Sequence, residues 1–384
     1  MIVCPAFSGK RYAILGLARS GLAAAEALLA SGAEIVAWDR QDVAREKLEG
    51  RARLVDPLDI DLTGFDGVVV SPGVPLNTHP IAGHAAKYGV PVIGDIELFA
   101  LARPCLPPHR VVGITGTNGK STTTALVHHI CRVAGLPTLM GGNIGLPIMA
   151  QEPLAPNDKG TGVYVLELSS YQIDLTYSLD CDVAMLLNIT PDHLDRYDGS
   201  FENYAASKAR LFYMQSDGHS AFLPVSASHI PAVDALHGLT QSVDWIGPSG
   251  GEDQSRWPSL QGPHNLENVR FARKACEALG LTAAEIEDGL RSFGGLPHRM
   301  EFVAEHGGVT FINDSKATNT DSSAPALAAY LPDPAISGGA PRIHWILGGL
   351  PKEDGLGACA AHLANVKAAY TIGEAGPRFA ELLE

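Results

Sequence analysis

An α/β protein built of three successive domains is the fold class that this sequence predicts, and three observations carry that expectation. Short apolar runs alternate with Ala/Leu-rich amphipathic stretches along most of the chain, which is the pattern of βα units rather than of bundles or sandwiches. Glycine-rich turns follow apolar runs directly, at Gly16–Gly21 and at Gly113–Gly119, where open α/β sheets bind phosphates. Clusters of proline and glycine at Pro104–Pro108 and Gly294–Pro297 interrupt the alternation. They divide the chain into a Rossmann-like domain over 1–103, a central P-loop domain of the ATPase type over 104–297, and a Rossmann-like C-terminal domain over 298–384.

The bulk composition agrees with soluble globular material. Of 384 residues 46% are hydrophobic and 18% charged, and the net charge of −14 comes with both signs dispersed. No basic stripe supports a nucleic-acid or membrane-surface role, so neither is expected as a partner. Six scattered cysteines, Cys4, Cys105, Cys131, Cys181, Cys276 and Cys359, lack C-x-x-C spacing, which predicts reduced, buried thiols rather than disulfides or a zinc site. The N-terminus has no signal-peptide layout and no apolar run is long enough to span a bilayer, so a cytoplasmic protein is expected; a monomer is expected as well.

In the first domain, Tyr12–Leu15 is an apolar strand, Gly16–Gly21 a tight turn, Leu22–Ala30 a helix, and Glu34–Trp38 a second strand ending at Asp39. This is a βαβ unit with Ala18 in place of the middle glycine and an acid after the second strand. Spacing alone leaves two readings open, a ribose- or diphosphate-bearing ligand over the turn or an ordinary tight connection. The next strand, Gly67–Val70, runs into Ser71-Pro72-Gly73-Val74-Pro75, an irregular loop at a strand's carboxyl end. Val92–Phe99 opens a helix before the linker.

The central domain holds most of the chemistry. Val111–Ile114 leads into Thr115-Gly116-Thr117-Asn118-Gly119-Lys120-Ser121-Thr122 and then a helix. Backbone N–H groups of such a turn form an anion site, the lysine reaches β- and γ-phosphates, and the serine hydroxyl can ligate Mg²⁺. The first glycine of the usual G-x-x-x-x-G-K-[ST] pattern is replaced by Ile114. Gly141–Gly145 is a second glycine-rich turn, and Val163–Leu166 is a strand delivering Glu167, either a Mg²⁺ ligand or a plain strand-end acid. Val183–Leu187 brings Asn188 to Asp195 to the same edge, with His193 beside Asp192. The amphipathic helix 200–214 buries Phe201, Tyr204, Ala205, Leu211 and Phe212. By periodicity its Lys208 is an ordinary helical lysine. Asn265 and Asn268 lie on one face near a helix start, able to hold a nucleotide or, for Asn265, to cap. In the third domain the strands are Val309–Ile312, Ile343–Leu347 and Ala368–Ile372.

Seven segments taken together resemble the Mur ligase family: Thr115–Thr122, Gly142–Gly145, Glu167–Ser170, Asn188–His193, His264-Asn265 with Asn268, Pro297–Arg299, and Asn313–Asn319. Within the family, Gly94–Phe99, Asp192–Tyr197 and Asp314–Asn319 look most like the branch that adds D-glutamate to UDP-N-acetylmuramoyl-L-alanine. The resemblance implies an ATP-dependent acid–amino-acid ligase of cytoplasmic peptidoglycan precursor synthesis, working through an acyl phosphate, with ATP, two Mg²⁺ ions and a carbamylated Lys208. It implies catalytic roles for Lys120, Asn143, His193 and Lys208, and metal ligation by Ser121, Glu167, His193 and Lys208. The ATP site would comprise Gly116, Thr117, Asn118, Gly119, Lys120, Ser121 and Thr122, joined by Asn265, Asn268, Arg299, Asp314 and Lys316. The first domain becomes UDP-binding, with Gly16, Ser20, Asp39, Ser71 and Gly73 lining a substrate site completed by Asn143, Ser169 and Gln172. Lys316, Thr318 and Lys352 would handle the amino acid.

Two departures qualify the resemblance. Arg40 follows Asp39 where a small hydroxyl residue is common, and a terminal loop that grips the D-glutamate carboxylates is not reached before Glu384, so the third domain is expected to be incomplete. The alternatives are another ligase of the family, adding a different amino acid or a glutamate to folate, and a nucleotide- and UDP-sugar-binding remnant without catalysis.

Overall fold

The computed structural model describes residues 1–239, 242–247, 252–350 and 355–384. They form two compact units, Met1–Gly247 with Phe271–Ile286, and Pro248–Arg270 with Glu287–Glu384.

The first unit contains two parallel sheets. β1 (Arg11–Leu15), β2 (Glu34–Trp38), β3 (Arg53–Leu54), β4 (Gly67–Val70) and β5 (Val92–Ile93) lie in the order β3-β2-β1-β4-β5. The chain therefore reverses direction across the sheet between β1 and β4, and a crevice opens at their carboxyl ends, where Gly16 and Ser71 sit. These strands are short and rich in Val, Ile and Ala because both faces are covered. The helix Arg19–Ala30 covers one face with Ala23, Ala24, Ala27 and Leu28. It begins before Leu22, so Ser20 lies in its first turn.

The second sheet comprises β6 (His109–Thr115), β7 (Thr138–Gly142), β8 (Gly162–Glu167), β9 (Val183–Leu186), β10 (Ser220–Pro224) and β11 (Ser242–Ile246), in the order β11-β10-β9-β6-β8-β7. Every pairing in it is parallel. Its reversal point lies at β6, so the segments after β6, β8 and β9 converge on one edge. Val111, Val112, Tyr164, Leu166 and Leu186 are fully buried beneath that edge. The helix Asp95–Ala102 bridges the two sheets: Phe99 packs 5.1 Å from the Tyr164 ring, and Glu97 accepts hydrogen bonds from the Tyr177 and Ser178 N–H groups and the Ser178 hydroxyl. A buried carboxylate with three donors needs no further counter-charge.

The second unit carries two small sheets, an antiparallel hairpin of β12 (Glu301–His306) and β13 (Val309–Asn313), and a parallel pair of β14 (Ile343–Gly348) and β15 (Val366–Ile372). One small core cluster there joins Ala324, Leu327 and Cys359, packed by Ile343, Trp345 and Val366.

Several elements differ from the sequence expectation. β3, β5, β7, β10, β11 and β12 were not foreseen: two are only two residues long, β7 ends in paired glycines and β10 ends in proline, all of which blur the strand pattern. The thiol expectation also fails in one place. Cys4 and Cys105 are joined as a disulfide with their Cα atoms 5.7 Å apart, because the N-terminal segment returns beside the linker, which spacing along the chain does not reveal. Cys131, Cys181, Cys276 and Cys359 are buried and form no disulfide among the described residues.

Candidate active site

Ile114, the residue where the usual motif has glycine, is a fully buried member of β6. The turn begins after it. Lys120 starts the helix Lys120–Val133, and its ammonium curls back over the loop to the Gly116 and Thr117 carbonyls at 2.9 and 2.7 Å. The segment after β9 braces the loop from the other side: Asn188 accepts from the Asn118 N–H at 2.8 Å and donates to the Asn118 carbonyl at 3.0 Å. The Thr117 hydroxyl donates to the Thr190 carbonyl at 3.1 Å and meets the Tyr204 hydroxyl at 3.2 Å. These contacts brace the loop from both sides.

Glu167 ends β8, in register with Ile114 of β6 and Gly142 of β7. One of its oxygens accepts from the Asn143 amide at 2.9 Å, while the other is buried without a partner among the described residues. Gly142 makes this approach possible. Its φ is +88°, and a Cβ there would lie 2.2 Å from the Glu167 carbonyl oxygen, so no other residue lets Asn143 reach the acid.

Lys208 sits on the helix Phe201–Tyr213 and is only 2% exposed. Its amine donates to the Gly116 carbonyl at 2.9 Å and lies 4.6 Å from the centre of the Tyr204 ring. Burial pushes its pKa well below the usual lysine value, and the neighbouring Lys120 charge pushes in the same direction. Two amines converge on one carbonyl oxygen, and burial shifts the more buried one toward its uncharged form.

His193 adopts a left-handed backbone with φ of 52°, a strain of roughly 1 kcal/mol for a residue with a Cβ. Its exposed ring lies 5.4 Å from the Tyr171 ring and 3.5 Å from the Asp192 carboxylate. Ser169 and Gln172 form a reciprocal cap on the helix Ser170–Asp174, so both side chains already have local partners. In the first domain the Ser71 hydroxyl donates to the Gly16 carbonyl at 2.9 Å. Gly16 has φ of +90° and Ser71 Cβ would meet a Cβ there at 2.9 Å, which fixes turn and loop as one edge. Asp39 accepts from the Leu17 and Gln41 N–H groups at 2.7 and 2.9 Å, tying the second strand to the same turn. Gly73 lies in the loop that follows Ser71.

The other expected residues belong to the second unit. Asn268 donates to Asn265 at 3.2 Å, and Asn265 donates to the Gln261 carbonyl at 3.0 Å. Both amides are buried. Asp314 accepts from the Met300 N–H at 3.0 Å. Burial raises its carboxyl above the usual value, and the Arg299 charge opposes that rise. Lys316 and Thr318 are exposed on the turn after β13, and Lys352 lies outside the described residues.

A divalent cation fits the first-unit site. The unpartnered buried oxygen of Glu167 is a hard anionic donor of the kind Mg²⁺ takes. Among the described residues no three His, Cys, Asp or Glu side chains cluster as a metal site, so hydroxyl and phosphate oxygens would have to complete the shell. Asn188 and Tyr204 were not expected to shape the loop. Tyr204 reads as part of an apolar helix face, and nothing in its spacing announces the hydroxyl contact.

Comparison with known proteins places this geometry. Residues 114–237 match the Mur ligase middle domain and residues 298–384 the Mur ligase glutamate ligase domain. The chain is 62% identical to the UDP-N-acetylmuramoylalanine–D-glutamate ligase of Novosphingobium aromaticivorans, covering 100% of this chain and 84% of the relative. It is 52% identical to the enzyme of the same name from Zymomonas mobilis, covering 100% and 86%. Among solved structures, a MurF ligase from Thermotoga maritima in complex with ADP has a TM-score of 0.59 at 16% identity, covering 99% of this chain and 85% of that one. A UDP-N-acetylmuramate–alanine ligase from the same organism has a TM-score of 0.55 at 17% identity, covering 97% and 88%. A P-loop braced by the segment after β9, a strand-end acid and a buried lysine thus stand where the family models match, and the chain belongs to the Mur ligase family.

Proposed function

We propose that this chain is an ATP-dependent ligase that joins D-glutamate to UDP-N-acetylmuramoyl-L-alanine in peptidoglycan precursor synthesis, in the cytoplasm. The observation that carries the reading from family to chemistry is the Lys208 amine, buried, with its pKa lowered by that burial, and bonded to the P-loop carbonyl of Gly116.

The reaction must bring together a carboxylate, a triphosphate and an amine, two of them anions at the reacting centre. The γ-phosphoryl of ATP passes to the terminal carboxylate of the UDP-linked alanine, releasing ADP. The D-glutamate amine then attacks the acyl carbon, and the tetrahedral intermediate releases phosphate and a proton to leave the amide. In this reading Gly116 to Thr122 cradle the phosphates and Lys120 swings from its own loop carbonyls to the β/γ-oxygens, adding positive charge where it accumulates in transfer. Asn143, held on Glu167, faces the acyl phosphate. Gly16, Ser20, Asp39, Ser71 and Gly73 form the edge for the UDP moiety. Ser169 and Gln172 cap the segment beneath the sugar. Asn265, Asn268, Arg299, Asp314 and Lys316 serve the nucleotide, and Lys316, Thr318 and Lys352 the amino acid. The three domains would run over 1–103, 104–297 and 298–384.

Mg²⁺, when bound, would neutralise phosphate charge and polarise the transferring group. Ser121 and Glu167 would hold one ion, His193 and Lys208 a second. A neutral amine adds to CO₂ to give a carbamate and a proton, which turns Lys208 into an anionic oxygen ligand. An ammonium cannot do this, and burial favours the neutral form.

The test is phosphate release by the purified chain. The expected result is turnover requiring ATP, UDP-N-acetylmuramoyl-L-alanine and D-glutamate together, with L-alanine, diaminopimelate, L-lysine and folates inactive as replacements. Phosphate release indifferent to the UDP-sugar, or thermal stability unchanged by both nucleotides, overturns the reading.

A further inference from the structure

Arg196 does no work in the chemistry above, yet it joins the first domain's substrate edge to the histidine turn. It follows His193 in the short 3-10 turn Leu194–Tyr197, whose far end is pinned by the Tyr197 hydroxyl donating to Asp174 at 2.9 Å. From that turn its guanidinium extends to the loop after β4 and donates to the Val74 carbonyl at 3.0 Å and the Pro72 carbonyl at 3.4 Å. The same guanidinium lies 4.2 Å from the centre of the Tyr171 ring, and Tyr171 is the ring that packs against His193. A second strut runs alongside, where Asn77 donates to the Asp195 carbonyl at 3.0 Å. Together these groups line a small cleft between the loop and Tyr171, Asp174 and Tyr197.

The loop that Arg196 holds carries Ser71, which is itself tied to the Gly16 turn. Resting on the reading that Gly16, Ser71 and Gly73 receive the UDP-sugar, we infer that Arg196 is a positioning residue for that substrate. It sets the distance between the edge that grips the UDP-linked end and the His193 turn, where the carboxylate at the other end reacts. The physical case rests on geometry that only this side chain supplies. A planar cation can stack on Tyr171 and present N–H donors edge-on to two carbonyls at once, while a lysine offers one compact charge without a flat face. A loop that loses this anchor grips the UDP-linked end of the substrate less tightly, so the effect falls first on the KM for the UDP-sugar.

The experiment compares Arg196→Lys, Arg196→Ala and Asn77→Ala with the parent chain, measuring kcat, the KM for each of the three substrates, and the melting temperature with and without UDP-N-acetylmuramoyl-L-alanine. Arg196→Ala is expected to raise the KM for the UDP-sugar about tenfold, the loss of one charge-assisted anchor, with the KM for ATP unchanged within twofold. Arg196→Lys is expected to fall between, and Asn77→Ala to shift the same constant in the same direction by less. Equal changes in every KM, or a kcat loss with the UDP-sugar KM intact, overturn the proposal in favour of a general structural role. If Arg196→Ala does not fold, the lysine variant decides by the same split. Absence of UDP-sugar-dependent phosphate release in the parent chain defeats the functional reading itself, whereas parent turnover with unaltered variants defeats only the positioning role.

Discussion

The central sheet and the two C-terminal sheets use similar amino acids to different effect. In the central sheet β8 and β9 are buried along their whole length, since helices cover both faces of a six-stranded parallel array. In the C-terminal region Phe302 is 61% exposed, Phe311 51%, Ile346 68% and Ile372 57%. A two-stranded sheet has two edges and little area to cover, so residues of the same hydrophobicity remain in water. The difference extends to the functional groups. Glu167, Asn188 and Lys208 are set at strand ends or in a packed helix, whereas Lys316 and Thr318 lie in an exposed turn. On the proposed roles, phosphate handling falls to a packed frame and amino-acid handling to groups in an exposed turn.

The largest expected effect probes the rigid side. Lys208→Ala should lower phosphate release about a thousandfold, the upper range for removing one preorganised group, and short carboxylic acids added to the assay should restore part of it by standing in for a carbamate. No rescue, together with an unmodified lysine by mass spectrometry of the parent, removes the carbamate from the account.

Stability should divide along the same line. Leu166→Ala, in the fully buried β8, should cost about 2–5 kcal/mol, while Ile346→Ala should change unfolding free energy by less than about 0.5 kcal/mol. Comparable losses would mean that the C-terminal strands are covered in solution. Hydrogen exchange offers an independent check, with amides of β12 to β15 exchanging before those of β6, β8 and β9.

Asp95 sharpens the picture by its pH dependence. It is buried at the start of the helix joining the two sheets, and among the described residues neither carboxylate oxygen has a hydrogen-bond partner. Burial raises its pKa to about 6, although the Ile96 backbone and Gln172 lie near enough to pull the other way. A carboxyl whose folded pKa lies above its unfolded value of 3.8 stabilises the fold below that value, and this contribution is lost as pH rises through about 6. At pH 8 the loss is on the order of 3 kcal/mol. Asp95→Asn should therefore melt several degrees above the parent at pH 8 and show little difference near pH 4. An equal shift at both pH values would point to packing rather than charge.

The smallest effect concerns the thiols. Without reductant, denatured protein should titrate four free thiols instead of six, matching the joined pair Cys4 and Cys105 and the four free cysteines. Six would return the pair to the reduced state that the cysteine spacing predicts.

Much of the architecture is legible along the chain because its signals are local. An apolar run, a glycine turn and an amphipathic helix are read within a dozen residues, and the P-loop, Glu167 and the Asn188–His193 segment are found that way. β7 and β10 escape the same reading, since glycine and proline weaken the local pattern and pairing with neighbours makes up the deficit. Lys208 shows the limit most clearly. Periodicity places it on a helix and makes it ordinary, and its burial against Gly116 arises only when the helix Phe201–Tyr213 packs over a loop 92 residues away. Arg196 and Tyr204 are of the same kind. Their partners, the Pro72 and Val74 carbonyls and the Thr117 hydroxyl, are distant in sequence, and no spacing rule relates them. Element type and motif identity follow from near-neighbour chemistry, so they are written in the chain. Protonation state, bracing and the spacing between substrate edge and reacting centre depend on which surfaces exclude water from one another, and that is settled only by packing.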